Sequence, residues 1–162
     1  MAHEYKIPEI GQKAPDFTLP ATNGKTIDLQ KLAAKQPVVL YFYPRADTPG
    51  CTKEACGFRD ARPDYEKAGV AVLGLSPDPI EDVKDFADKF QLNFPLLADA
   101  DHAVCDRYGM WQEKNMYGRK YWGAARSTFI IGKGGTIRHI FHKVKPEGHE
   151  QEVMRWLKEN PA

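Results

Sequence analysis

Two uncharged runs, PVVLYFY at 37–43 and VAVLGL at 70–75, constrain the fold of this chain more than any other feature. Both are too apolar to leave one face in water, so each reads as a strand buried on both faces. Between them, residues 50–68 are rich in helix formers and stop at Gly69, with Pro63 expected to kink or break the helix. PIEDVKDFADKF at 79–90 then places Ile80, Val83, Phe86, Ala87 and Phe90 at helical spacing. Strand, helix, strand, helix in that order predicts a parallel sheet covered by helices. Around it come a hairpin about Asn23-Gly24, a short strand at 94–97 and a short helix near 101–108. A second hairpin joins STFIIG (127–132) to TIRHIFH (136–142) across Lys133-Gly134-Gly135, and a terminal helix covers 148–159. No repeat or linker divides the chain. The expectation is one α/β domain over 1–162, three layers about a mixed sheet.

Charge and cysteine content narrow the chemistry. A formal net charge of +1, with no basic run, disfavours nucleic acid or an acidic membrane surface as partner. The start, MAHEYKIPEIGQKAP, lacks the apolar core of a secretory signal, and no apolar stretch is long enough to span a bilayer, so a soluble, cytoplasmic protein is expected. Three cysteines there do not make a disulfide framework, which leaves thiol chemistry or metal binding.

Two of the three thiols lie in YPRADTPGCTKEACG at 43–57. Thr48-Pro49-Gly50-Cys51 reads as a helix start, with Thr48 at the N-cap, Pro49 first in the helix and Cys51 in the first turn. The Cys51 sulfur then sits at the positive end of the helix, within expected reach of the Thr48 hydroxyl and free N–H groups. A thiol of pKa ~8.5 is only about 3% thiolate at pH 7. Lowering it to roughly 6 takes about 3.4 kcal/mol, whereas a helix terminus supplies at best ~2 kcal/mol. A cation is required in addition, and an arginine suits because it stays charged. Gly50 points towards function as well, since glycine lets something approach the backbone closely. Cys56 lies five residues on, so in an intact helix the two Cα atoms are roughly 8.7 Å apart, beyond the ~7 Å limit of a disulfide. If these thiols bond, the helix must unwind, and Gly50 and Gly57 make the segment easier to melt.

Pro44-x-x-x-Thr48-x-x-Cys51 resembles the signature of the peroxiredoxins, and CTKEAC resembles their bacterioferritin comigratory protein, or Q type, branch. The resemblance runs from Gly11-x-x-Ala14-Pro15-Asp16-Phe17 through Arg126-Ser127-Thr128-Phe129 to Gly148-His149. It implies a thioredoxin-like fold with an added N-terminal β-hairpin, and a thiol peroxidase using neither metal nor flavin. By the same resemblance Cys51 is the peroxidatic cysteine, Thr48 bonds the peroxide, Pro44 shields the sulfur and Arg126 supplies the missing cation. Glu54 falls in the matched segment as a holder of that arginine, and Cys56 is the resolving cysteine. Thioredoxin or a glutaredoxin-like protein is the implied reductant, and the branch is often monomeric.

Other readings stand beside this one. Cys105 reads as a partly buried, inert thiol. His102, Cys105, Cys51 and Cys56 together would make a zinc-type ligand set, the basis of a non-enzymatic zinc or redox module. A thioredoxin-type disulfide reductase is the rival within chemistry, although four residues separate the thiols instead of two. His139 and His142 read as surface residues on opposite faces of a strand. Met110, Trp111, Met116, Tyr117, Tyr121 and Trp122 form either an apolar entrance for larger peroxides or a loop packed on the core.

Overall fold

A computed structural model describes residues 6–161. Strands β1 (Thr18–Pro20) and β2 (Thr26–Asp28) form the N-terminal hairpin, turning through Gly24 at φ +79°. Asp28 then caps the short helix α1 (Leu29–Ala33), its carboxylate accepting the Lys31 N–H at 3.1 Å. There follow β3 (Val38–Phe42), α2 (Pro49–Lys67), β4 (Ala71–Ser76), α3 (Ile80–Lys89), β5 (Leu96–Ala98) and α4 (Ala103–Arg107). The chain ends with β6 (Trp111–Met116), β7 (Arg119–Ala124), β8 (Ser127–Ile131), β9 (Ile137–Phe141) and α5 (His149–Glu159).

Five strands form the central sheet in the order β5-β4-β3-β8-β9. Strands β3, β4 and β5 run parallel, joined by α2 and α3, while β8 is antiparallel to both β3 and β9, so the sheet is mixed as expected. All of β3 is buried, and its alternation divides two cores. Val38, Leu40 and Phe42 face Phe17, Leu29, Val104 and Tyr108 on one side. Val39, Tyr41 and Tyr43 face Phe58, Phe86 and Val153 on the other, beneath α2, α3 and α5. Each such large side chain contributes about 1.5–3 kcal/mol by leaving water, so the uncharged runs dictate the central position of β3 and β4. No helix among the described residues is long and apolar enough to cross a membrane.

Three local expectations need correction. Pro63 does not break α2, which continues to Lys67. Proline cannot donate to the carbonyl four residues back, Arg59, and the Asn93 side-chain amide donates to that oxygen instead, at 3.2 Å. The aromatic cluster is not a loop packed on the core: β6 and β7 pair only with each other, across a Tyr117-Gly118 turn with both residues at positive φ. Its base is anchored, Met110 in the core and Trp111 stacked on His102 at 4.0 Å. His139 is not simply a surface residue, being half-buried and stacked on Trp156 at 4.9 Å, while His142 is exposed.

Candidate active site

The site begins with strand register. Phe42, the last residue of β3, pairs with Ser127, the first of β8. The chain leaving β3 through Tyr43-Pro44 and the chain entering β8 through Arg126 therefore meet at one end of the sheet. Beyond Pro44 the chain turns back through Asp47 at φ +59°, whose carboxylate accepts from Lys89 Nζ at 2.9 Å. Buried Asp78 holds the same loop, its Oδ2 accepting from the Ala46 N–H at 2.7 Å and from the Ser76 hydroxyl at 2.8 Å. Sequence reasoning missed both anchors, since they join the loop to α3 and to the end of β4.

Thr48 is the N-cap of α2 and Pro49 its first residue, as expected. The first helical hydrogen bond runs from the Thr52 N–H to the Thr48 carbonyl at 2.8 Å, which leaves the Gly50 and Cys51 N–H groups without intrahelical acceptors. The Thr48 side chain differs from expectation: its hydroxyl makes no cap and donates to the Arg45 carbonyl at 3.1 Å. A hydroxyl committed as donor keeps its lone pairs for an incoming O–H.

Cys51 is buried, 1% exposed, at the start of α2. Arg126 Nη2 donates to its sulfur at 3.3 Å, and Nη1 donates to Glu54 Oε1 at 2.9 Å. Cys51 and Glu54 are three apart on one helix face, so a single forked guanidinium spans both. Gly50 eases this approach: a Cβ there would crowd it, lying 3.2 Å from Arg126 Nη2 and 3.4 Å from Pro146 Cγ. Burial pushes the Glu54 carboxyl up to about 7, although the facing Arg126 acts in the opposite direction, and its second oxygen, Oε2, is buried without a hydrogen-bond partner among the described residues. Burial also disfavours the charge on Arg126, but the Cys51 sulfur and the Glu54 carboxylate outweigh it and hold its pKa above the ordinary value. Beneath them, burial keeps Tyr41 well above the usual phenol pKa and hence neutral.

Cys56 follows on the same unbroken helix, half-buried, and all three cysteines are free. At Gly57 a Cβ would lie 2.5 Å from Glu150 Oε2, so α5 presses on α2 at the residue after Cys56. The first turn of α5 is fixed by buried His149, whose Nε2 meets the Thr128 hydroxyl at 2.6 Å and whose Nδ1 meets Glu152 Oε1 at 2.8 Å. The Gly148-His149 match marked this place in the sequence without revealing its packing.

Cys105 lies on the opposite face of the sheet, in the core shared by Leu40 and Phe42. Burial, aided by the Asp99 carboxylate, pushes its thiol above the ordinary range. The zinc-type set is thus divided between two faces, since Cys51 belongs to the other core. Among the described residues no group of three or more histidine, cysteine or carboxylate side chains could hold a metal ion.

A buried cysteine at a helix start, faced by an arginine at the end of a five-stranded mixed sheet, agrees with what comparison with known proteins finds. Residues 10–140 match the model of the AhpC/TSA family, and the chain belongs to it as a peroxiredoxin, a thiol-dependent peroxidase of thioredoxin-like fold. Its relatives place it in the Bcp, or Q type, branch. Peroxiredoxin Bcp of Escherichia coli is 46% identical over 152 residues, 94% of this chain and 97% of that protein. A bcp protein of Coxiella burnetii is 51% identical over 146 residues, 90% of this chain and 96% of the relative. A solved structure of the Xanthomonas campestris bacterioferritin comigratory protein, described for its alkyl peroxide reduction activity, matches with a TM-score of 0.82 at 36% identity, covering 88% of this chain and 90% of that one.

Proposed function

We propose that Cys51 is the peroxidatic cysteine of this peroxidase and that Cys56 resolves it. The observation that carries the reading is the Arg126 guanidinium, which donates to the Cys51 sulfur while its other nitrogen is held by Glu54. In the first step the Cys51 thiolate attacks the terminal peroxide oxygen, the O–O bond breaks, and the leaving oxygen takes up a proton to become water or an alcohol. Cys51 is left as a sulfenic acid. Negative charge spreads over sulfur and both oxygens as the bond breaks, and Arg126 with the Gly50 and Cys51 N–H groups stabilises it. Thr48 Oγ1 accepts the peroxide O–H, and Pro44 limits the access of water to the sulfur.

The Cys56 thiolate then attacks the Cys51 sulfur, the S–O bond breaks, and the hydroxide leaves with a proton as water. Cys51 and Cys56 share one unbroken helix in the reduced protein, so the first turns of α2 unwind before this bond forms. An external dithiol, thioredoxin or a glutaredoxin-like protein, returns two electrons and restores both thiols. The cycle uses organic hydroperoxides as well as hydrogen peroxide, needs no metal or flavin, and suits a monomeric, single-domain protein of the reducing cytoplasm.

The test is peroxide consumption coupled to a thioredoxin system. Cys51→Ser is expected to abolish turnover, Cys56→Ser to permit one round of oxidation, and Cys105→Ser to change little. Full turnover by Cys51→Ser would overturn the assignment. Amide exchange across 50–58 is expected to rise on oxidation, and an equally protected oxidised helix would refute the unwinding.

A further inference from the structure

Four of the five large apolar side chains exposed among the described residues lie on the β6–β7 hairpin: Met116, Tyr117, Tyr121 and Trp122, with Tyr117 fully exposed at the turn. Strand register distributes them. Lys114 pairs with Tyr121 and Met116 with Arg119 on one face, whereas Glu113 pairs with Trp122 and Asn115 with Lys120 on the other. Apolar groups therefore project from both faces and from the tip. A partner protein laid against the hairpin would cover one of these directions, while a medium that surrounds the tip covers all three.

The charges point the same way. Lys114, Arg119 and Lys120 accompany the aromatic groups, and the single carboxylate of the hairpin, Glu113, is ion-paired with Lys120 at 3.8 Å. Tyrosine, tryptophan and methionine interleaved with lysine and arginine is the composition that settles at the interface of an anionic bilayer. The chain-wide charge of +1, which argues against such a partner, conceals this local excess.

We propose that the β6–β7 hairpin docks on the surface of anionic lipid bilayers, with Met116, Tyr117, Tyr121 and Trp122 entering the headgroup region and Arg119 and Lys120 meeting lipid phosphates. Strand β7 ends at Ala124, two residues before Arg126, and the Lys114 ammonium donates to the Ala124 carbonyl at the hairpin base. Although the hairpin base packs in the core opposite Cys51, a docked tip brings lipid hydroperoxides toward the end of the sheet where Arg126 meets the Cys51 sulfur. This delivery role rests on the Cys51 assignment, whereas docking itself does not. A cation near an anionic surface adds about 1 kcal/mol, roughly fivefold in partitioning, so binding is reversible and falls with salt.

Flotation of the whole protein with vesicles of phosphatidylcholine, alone or mixed with phosphatidylglycerol, tests the docking. Wild type is expected to float with the mixed vesicles only, and brominated chains in them to quench its tryptophan fluorescence. Arg119→Gln should weaken partitioning about fivefold, Tyr117→Ser should abolish it, and Tyr117→Trp should retain it. Cys51→Ser should bind as wild type, which separates docking from the peroxidase assignment. Arg119→Gln and Tyr117→Ser should turn over soluble tert-butyl hydroperoxide normally and be slowed only on hydroperoxides held in vesicles. Wild type that fails to float at low salt, or Arg119→Gln and Tyr117→Ser variants that float as well as wild type, would overturn the proposal. So would tip variants that lose self-association, or affinity for the protein reductant, with vesicle binding unchanged, because the hairpin would then be a protein interface. Equal rates on vesicle-held hydroperoxide would overturn the delivery role.

Discussion

Replacing Glu54 with glutamine should flatten the dependence of stability on pH. Glu54 is fully buried, and burial holds its carboxyl at about 7 against an ordinary 4.5, even with Arg126 2.9 Å away. Between these values the folded protein keeps a proton that the unfolded chain releases, so stability falls as pH rises through this window. The contribution is fully present below about 4.5 and is lost above about 7. At ~1.36 kcal/mol per pH unit the loss amounts to about 3 kcal/mol. Glu54→Gln retains an oxygen to accept from Arg126 and never ionises, so it lacks this loss. Urea unfolding of the reduced proteins at pH 4.5, 6 and 8 provides the measurement. Every other titrating group is common to both proteins, so the difference of their differences isolates Glu54. Wild type should lose about 3 kcal/mol more than the variant between pH 4.5 and 8, equivalent to roughly 6–12 °C in melting temperature for a chain of this size. Parallel stability profiles would show that Glu54 ionises at an ordinary pH in the folded protein, and the buried, half-protonated partner of Arg126 would have to be abandoned.

Arg126→Met removes a charge-assisted hydrogen bond to sulfur worth about 1.5–3 kcal/mol, so stopped-flow oxidation of Cys51 should slow by roughly 10- to 150-fold. Gly57→Ala should raise helix stability by about 0.5–1 kcal/mol, the displaced Glu150 carboxylate being free to swing aside, and so slow disulfide formation about two- to fivefold with the peroxide step unchanged. Rapid-quench trapping of free thiols checks this, and faster disulfide formation would mean that the contact with Glu150 dominates. Asn93→Ala deprives the Arg59 carbonyl of its substitute donor and should lower the melting temperature by about 2–4 °C for a cost of about 1 kcal/mol.

The central sheet was readable because β3 and β4 carry no charge at all, and a strand buried on both faces has no other sequence to be. Cys51 was readable because Thr-Pro-Gly before it has few uses besides opening a helix against something close, and the close object is Arg126 beside Gly50. That a cation was needed followed from energetics, but which cation came only from resemblance, since Arg126 is 75 positions away. The β6–β7 hairpin escaped because beyond the basal pair Trp111–Ala124 it has no core to enforce alternation, so WQEKNM and RKYWGA show no period of two. Pro63 misled because its remedy, Asn93, belongs to another part of the chain. The direction of the Thr48 hydroxyl depends on the left-handed turn at Asp47, a conformation that residue type alone does not specify.

The pairing of Phe42 with Ser127 divides the site into a permanent half and a removable one. Arg126 issues from a strand bonded into the sheet, whereas Cys51 and Glu54 ride on the turns of α2 that the proposed cycle unwinds. When those turns open, the guanidinium loses both its sulfur and its carboxylate but remains where the sheet holds it. In the proposed cycle the oxidised protein thus keeps a fixed charge without its counterpart, a mould of the reduced site. Once the disulfide is cleaved, a freed thiolate and a carboxylate are drawn back to one anchored point, and the helix rewinds toward a destination that never left.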